Sequence, residues 1–310
     1  MTIPILFTFD ASLLMPAGVC ITSLLTNAAK DTFYDIFILH HPKEKLKDSD
    51  LDRLPAAFGN CRITYRSVEN EFEGAYQVRG ITETAYYRLI APEIIPEYDK
   101  ILYSDVDVIF REDLTKYYLT DIGDNYFGGV DNASALRPDV QEYKTKALGL
   151  SSKDGYFYSG NLIINCRQIL KDNLTATFRN LGKNNYLQQD MDIINIACKN
   201  RIFSLSPAFC LTNFLYDLIV ENREQMEKIY GSEPLDHALQ YGIVHYNGAK
   251  PWNEVCLNMD LWWEYYRKSI FFDEKFARDF WYSQTYRLEK MSLWKRIKHV
   301  GRYFREGGKK

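Results

Sequence analysis

A chain of 310 residues with 46% hydrophobic and 25% charged residues and a formal net charge of −3 has ample core-forming material, and its charge excludes nucleic-acid binding as the default. From Arg287 onward nine Lys/Arg face two Asp/Glu, a net +7, which leaves −10 on the rest: an acidic body with a basic interaction tail. The six cysteines are scattered without a CxxC pair, and the N-terminus has no basic leader or membrane-length apolar run, so buried thiols in a reducing cytoplasm are expected.

In chain order, "IPILFTF" predicts a strand, residues 10–16 a loop and "GVCITSLLTNA" a helix. "YDIFILH" is a second strand, "KDSDLDRLPAAF" carries a cap signal and helical spacing, and "CRITYRSV" is a third strand. "TETAYYRLIAPEII" reads as helical up to Pro96, and "KILYSDVDVIF", residues 100–110, as one apolar strand interrupted by Asp105 and Asp107. "YFGGVD" and "GYFYSGNLIINC" add strands, "QQDMDIINIAC" a helix, and "RIFSLSPAFCL" and "GIVHYNG" later strands. From Trp252 the chain is aromatic-rich and helical. Strands alternating with helical segments predict an α/β fold with a mostly parallel, doubly wound sheet, whose ligands bind beyond the carboxyl ends of the strands.

Asp105 and Asp107 fall at such an end. On a strand, residues i and i+2 share a face about 6.5–7 Å apart, so two carboxylates there can embrace one hard cation, magnesium or manganese. The alternative is a solvated pair in a turn. "HYNGAKPW" adds His245 as an imidazole ligand, Gly248 for close backbone approach to phosphate, and Lys250 as a point charge. For a lone histidine a hydrogen-bonded core position is the ordinary alternative.

In order, "FTFD", "TAYYRL", "LYSDVDV", "YFYSGNLIIN", "QQDMDIIN" and "HYNGAKPW" resemble glycosyltransferase family 8, which includes bacterial lipopolysaccharide galactosyl- and glucosyltransferases and glycogenin. The resemblance covers about residues 1–255 and implies a GT-A nucleotide-sugar-binding fold as a catalytic domain, with residues 256–310 as a helical extension. It implies a retaining hexosyltransferase that uses UDP-galactose or UDP-glucose and Mn²⁺, with Mg²⁺ as the other candidate, on a glycan or lipid-linked glycan. Asp105, Asp107 and His245 would hold the metal, and Gly248 and Lys250 the diphosphate. Asp10 would receive the uracil N3–H, with Thr8 against the base or ribose. Arg88, Asp131 and Asp190 would bind sugar hydroxyls or orient one another; a helix ion pair and turn or cap roles are their structural alternatives.

Three departures from the family pattern stand out. "DASL" at 10–13 lacks an amide and a stacking aromatic, so either Ser12 and backbone groups take over or nucleotide affinity falls. Tyr158 occupies a position where the family has a sugar-contacting asparagine, and would offer a longer hydroxyl. Met191 separates Asp190 and Asp192 where related chains carry glutamine. Two other functions remain: metal-dependent phosphoryl transfer, which would call for a phosphate-cradling glycine-rich loop or more carboxylates, and a catalytically impaired UDP-sugar binder at a membrane. The tail supports membrane placement. Leu293, Ile297, Val300 and Phe304 recur on one helical face, Trp294 and Tyr303 lie beside them, and Lys295, Arg296, Lys298, Arg302 and Arg305 fill much of the remainder. That pattern predicts a peripheral interfacial helix on the anionic inner face of the membrane, too short and too charged to span it.

Overall fold

A computed structural model describes residues 1–69, 71–78 and 82–307, without the side chains of 287–289, 299 and 302–307. Its centre is a seven-stranded sheet in the order β3-β2-β1-β4-β7-β6-β8. The strands are β1 (Thr2–Thr8), β2 (Phe33–His40), β3 (Cys61–Ser67), β4 (Lys100–Ser104), β6 (Phe127–Gly129), β7 (Asn161–Asn165) and β8 (Ile202–Ser204). Among the described residues β3, β2, β1 and β4 run parallel, as do β6 and β8, while β7 lies antiparallel between β4 and β6.

The near-continuous apolar runs of β1 and β2 have a direct cause: both faces of the sheet are covered. Ile3, Ile5 and Phe7 of β1 pack with Cys20, Ile21 and Leu24 of the Leu14–Thr26 helix on one face. Leu6 joins Tyr86, Leu89, Ile164 and Ile193 on the other. A second sheet, β5-β10-β9, is built from the two-residue strands β5 (Val108–Ile109), β9 (Leu211–Thr212) and β10 (Val244–His245).

Residues 100–110 therefore do not form the single strand that their hydrophobicity predicts. β4 ends at Ser104, the chain bends through Asp105, Val106 and Asp107, and β5 begins in the other sheet. The backbone groups of the bend are satisfied by different partners: the Asp105 N–H donates to the Gly160 carbonyl at 2.7 Å, and the Asp107 carbonyl accepts from the Tyr246 N–H at 2.9 Å. "RIFSLSPAFCL" divides in the same way, into β8 and β9 with a 3₁₀ turn over Pro207–Phe209 between them.

The helices Met259–Lys268 and Glu274–Glu289 follow the small sheet. Trp262, Trp263, Tyr265 and Tyr266 are buried in one cluster with Val19, Ile109 and Val244. The Asn27 amide donates to the Tyr265 hydroxyl at 2.7 Å. The tail forms a helix over Leu293–Gly307, on which Leu293, Trp294, Ile297 and Val300 are 52–78% exposed. The side chains of Arg302, Tyr303, Phe304 and Arg305 lie outside the described residues. Among the described residues no helix is long and apolar enough to cross a membrane.

Candidate active site

Strand order sets where the site falls. β1 has β2 on one side and β4 on the other, so connections leave in opposite directions, and the region beyond their carboxyl ends is where a sheet of this kind binds ligands. Thr8 closes β1, and Asp105 follows β4. The small sheet brings in the third candidate ligand. His245 of β10 pairs with Val108 of β5, just past Asp107, and with Thr212 of β9.

One ligand atom from each of Asp105, Asp107 and His245 lies within 4.8 Å of the others. His245 Nε2 is 3.3 Å from Asp107 Oδ1 and 3.7 Å from Asp105 Oδ2. The two carboxylates come together through the bend, not through the i, i+2 spacing of a strand. Each also commits its second oxygen to the protein. Asp105 Oδ1 accepts from the Tyr103 hydroxyl at 2.5 Å and pairs with Arg88 at 2.9 Å. Asp107 Oδ2 pairs with Lys250, whose ammonium also donates to the Tyr246 carbonyl at 2.7 Å.

The donor set fits a divalent cation of the manganese or magnesium kind: two carboxylates, one imidazole and nothing soft in the first rank. Gly160 supports the fit, since a Cβ there would stand 2.8 Å from His245 Nδ1 and 2.9 Å from Asp105 Oδ2. Burial alone would raise the Asp107 carboxyl, but His245 and Lys250 hold it well below the usual range. Burial would lower the His245 imidazole, but Asp107 and then Cys210 raise it well above its ordinary value.

Arg88 is 4% exposed and spends its guanidinium on protein groups. Besides Asp105 it reaches Asp190 at 3.4 Å, the Ser159 carbonyl at 2.7 Å and the Ala85 carbonyl at 2.8 Å, and it lies 4.1 Å from the centre of the Tyr103 ring. Asp190 sits in the first turn of the Gln189–Ala197 helix. Burial pushes its carboxyl up to about 6, Arg88 opposes the rise, and Asp105 adds to it. Asp131, just beyond β6, accepts from the Ser204 hydroxyl at 2.5 Å, and burial raises its carboxyl as well.

The nucleotide-facing residues predicted from sequence occupy the end of β1. Thr8 is buried with its hydroxyl 3.2 Å from that of Tyr103. Asp10 accepts from the Ser12 N–H at 3.0 Å and from the Ser12 hydroxyl, so Ser12 is turned toward Asp10. Gly248 has φ +121°, a conformation that side-chain-bearing residues rarely adopt. Tyr158 is turned inward: it is 7% exposed within the core, and its oxygen lies 3.3 Å from the Thr212 hydroxyl.

Tyr103, Ser159 and Gly160 are site residues that sequence reasoning passed over. Tyr103 was within reach of the period-2 rule, since it lies two residues before Asp105. Ser159 acts through its backbone carbonyl and Gly160 through the absence of a side chain, neither of which leaves a mark in residue chemistry.

The model of the family "Glycosyl transferase family 8" matches residues 4–256. General stress protein A of Bacillus subtilis (strain 168) is 25% identical over 246 residues, 76% of this chain and 82% of that protein. A lipopolysaccharide 1,2-glucosyltransferase of Escherichia coli is 23% identical over 253 residues, 79% of this chain and 71% of that protein. Among solved structures, the galactosyltransferase LgtC in complex with donor and acceptor sugar analogues superposes with a TM-score of 0.73 at 24% identity, covering 89% of this chain and 99% of that one. The likeness identifies the architecture as the GT-A fold.

Proposed function

The chain belongs to glycosyl transferase family 8, and from that premise we propose that it is a retaining hexosyltransferase moving galactose or glucose from a UDP-sugar to a glycan or glycolipid acceptor with Mn²⁺. The observation that carries this reading is the convergence of Asp105, Asp107 and His245 at the carboxyl ends of the strands, with Lys250 beside them. When bound, the cation neutralises negative charge on the departing diphosphate.

The remaining roles fall to the chain's own groups. Lys250 supplies a second positive charge, and the side-chain-free backbone at Gly248 allows close approach of phosphate oxygens. Asp10 takes the uracil N3–H and Thr8 flanks the ribose, with Ser12 steadying Asp10. Asp131 and Asp190 receive sugar hydroxyls, and Arg88 orients Asp190 relative to Asp105.

A double displacement needs a nucleophile, ordinarily a carboxylate, beneath the anomeric carbon. Met191 is a thioether packed against Leu148 and Tyr156, with the Asn132 amide 3.8 Å from its sulfur. We therefore favour attack on the same face. The acceptor oxygen bonds to the anomeric carbon as the bond to the diphosphate oxygen breaks, and the acceptor proton passes to the leaving phosphate. The acceptor is lipid-linked in this reading, with residues 1–255 as the catalytic domain, 256–310 as a helical extension, and the basic tail at 293–305 as the part that rests on the inner membrane face.

Thermal unfolding with UDP, with and without Mn²⁺, tests the site. UDP raises the melting temperature only with Mn²⁺, and release of UDP from UDP-galactose or UDP-glucose shows the same dependence. Asp107→Asn lowers that release by at least about a hundredfold, the scale of losing one electrostatic element. Wild-type turnover in the variant would overturn the assignment. Binding of UDP without turnover of any UDP-sugar would instead select an impaired binder.

A further inference from the structure

We infer that Asp192 is a positioning residue: clasped by Tyr143 and Tyr156, it fixes the segment carrying Asp131 to the helix start that presents Asp190. The inference rests on the proposed reading of Asp131 and Asp190 as the carboxylates that hold the transferred sugar.

Asp192 is two residues beyond Asp190 and fully buried. Its Oδ1 accepts from the Tyr156 hydroxyl at 2.5 Å, and its Oδ2 from the Tyr143 hydroxyl at 2.6 Å and the Gln188 N–H at 2.9 Å. A carboxylate buried this deeply is tolerated because donors converge on it, and donors on both oxygens also fix its orientation. The same geometry argues against a nucleophilic role, since the oxygens are directed at tyrosines.

Each tyrosine carries a different segment. Tyr143 belongs to the Pro138–Lys146 helix, and its oxygen also accepts from the Leu187 N–H at 3.0 Å, ahead of the Gln189–Ala197 helix. The Tyr156 carbonyl accepts from the Asn132 N–H at 2.7 Å, and the next residue, Phe157, bridges to Asp131. The Asn195 side-chain amide grips Phe157 from the same helix as Asp192, accepting from its N–H at 2.8 Å and donating to its carbonyl at 3.0 Å. Asp131 is thus tied to the helix through Tyr156 and Phe157.

The helix start is held in an unfavourable form. Gln189 has φ +49° and is 1% exposed, a left-handed conformation that a non-glycine residue keeps only where its surroundings enforce it. Asp192 fixes the Gln188 N–H on one side, and the Gln189 amide donates to the Tyr76 carbonyl at 2.8 Å on the other. Asp190 follows directly, so the direction of its carboxyl depends on the clasp. Errors of about 1 Å in such placement cost about a hundredfold in rate.

Tyr156→Phe and the double variant Tyr143→Phe/Tyr156→Phe keep the rings and remove only hydroxyls. In the double variant, kcat for UDP-sugar turnover is expected to fall about 10- to 100-fold, with Mn²⁺-dependent UDP affinity within about twofold because the metal triad stands on other elements. Hydrogen exchange at 130–133 and 187–191 should rise together, while that at 244–246 stays as in the wild type. An unchanged kcat below the melting temperature overturns the inference however far that temperature falls, as does exchange that rises in only one of the two segments. A hexose trapped on Asp192 of the wild-type enzyme would also overturn it. Failure of the functional reading looks different: the wild type turns over no UDP-sugar, yet the coupled exchange persists.

Discussion

Arg88 joins two carboxylates that the fold treats differently. Asp105 lies just past β4 with one oxygen on Tyr103 and Arg88, whereas Asp190 is 6% exposed and Arg88 stands farther off, at 3.4 Å. Burial then dominates at Asp190 and lifts its carboxyl from an ordinary 3.8 to about 6. A carboxyl whose folded value is raised binds its proton more tightly when folded, so its contribution to stability is complete below about pH 4 and is lost as pH rises through 6. In metal-free protein, Asp190→Asn should therefore match the wild type near pH 4, apart from a pH-independent offset, and gain on it by on the order of 1–3 kcal/mol by pH 7. Urea midpoints at the two pH values measure this, and the same difference at both would contradict it.

The antiparallel pairing of β4 with β7 matters more to the site than either strand alone. Ser104 is opposite Asn161 in that register, so the residue before β7 and the residue after β4 meet, and these are Gly160 and Asp105. A methyl group at Gly160 would press on both the imidazole and a carboxylate oxygen. We expect Gly160→Ala to weaken Mn²⁺ binding at least tenfold by calorimetry, about 1.4 kcal/mol, and to cost about 1–3 kcal/mol of stability as overpacking. Unchanged metal affinity would mean that the pocket relaxes around the added carbon. Half of this element was legible, since Asp105 stood out in "SDVDV" while Gly160 did not. The meeting of the two was not, because the pairing spans more than 50 residues of chain and rests on backbone hydrogen bonds that any residue type can make.

For the molecule as a whole, charge and surface point to the C-terminal end. The basic tail follows an acidic body, and its helix exposes Leu293, Trp294, Ile297 and Val300 beside the exposed Lys295 and Lys298. Each basic residue near an anionic surface contributes about 1 kcal/mol, so several together support reversible binding. The full chain should co-sediment with vesicles containing anionic lipid at low salt and release at high salt, while a chain ending at Met291 remains in the supernatant. Equal pelleting of the two forms would leave the tail no membrane role. Docking on the acidic body instead would appear as a lower melting temperature after truncation.

By itself, the sequence determined the covered sheet, the residue types gathered in the acid–histidine cluster and the helical tail, because apolar period, side-chain type and charge run are local properties. β1, β2 and β3 follow their hydrophobic runs, and the acids and histidine named as ligands lie within 4.8 Å of one another. Tertiary structure alone decided how they came together. It broke residues 100–110 between two sheets, turned Tyr158 into the core, spent Arg88 on Asp105 and Asp190, and closed two tyrosines on Asp192. Strands of two residues such as β5 and β10 carry too little pattern to announce themselves. They exist because distant backbone groups, once buried, must find partners, and which partners they find is settled only when the whole chain has packed.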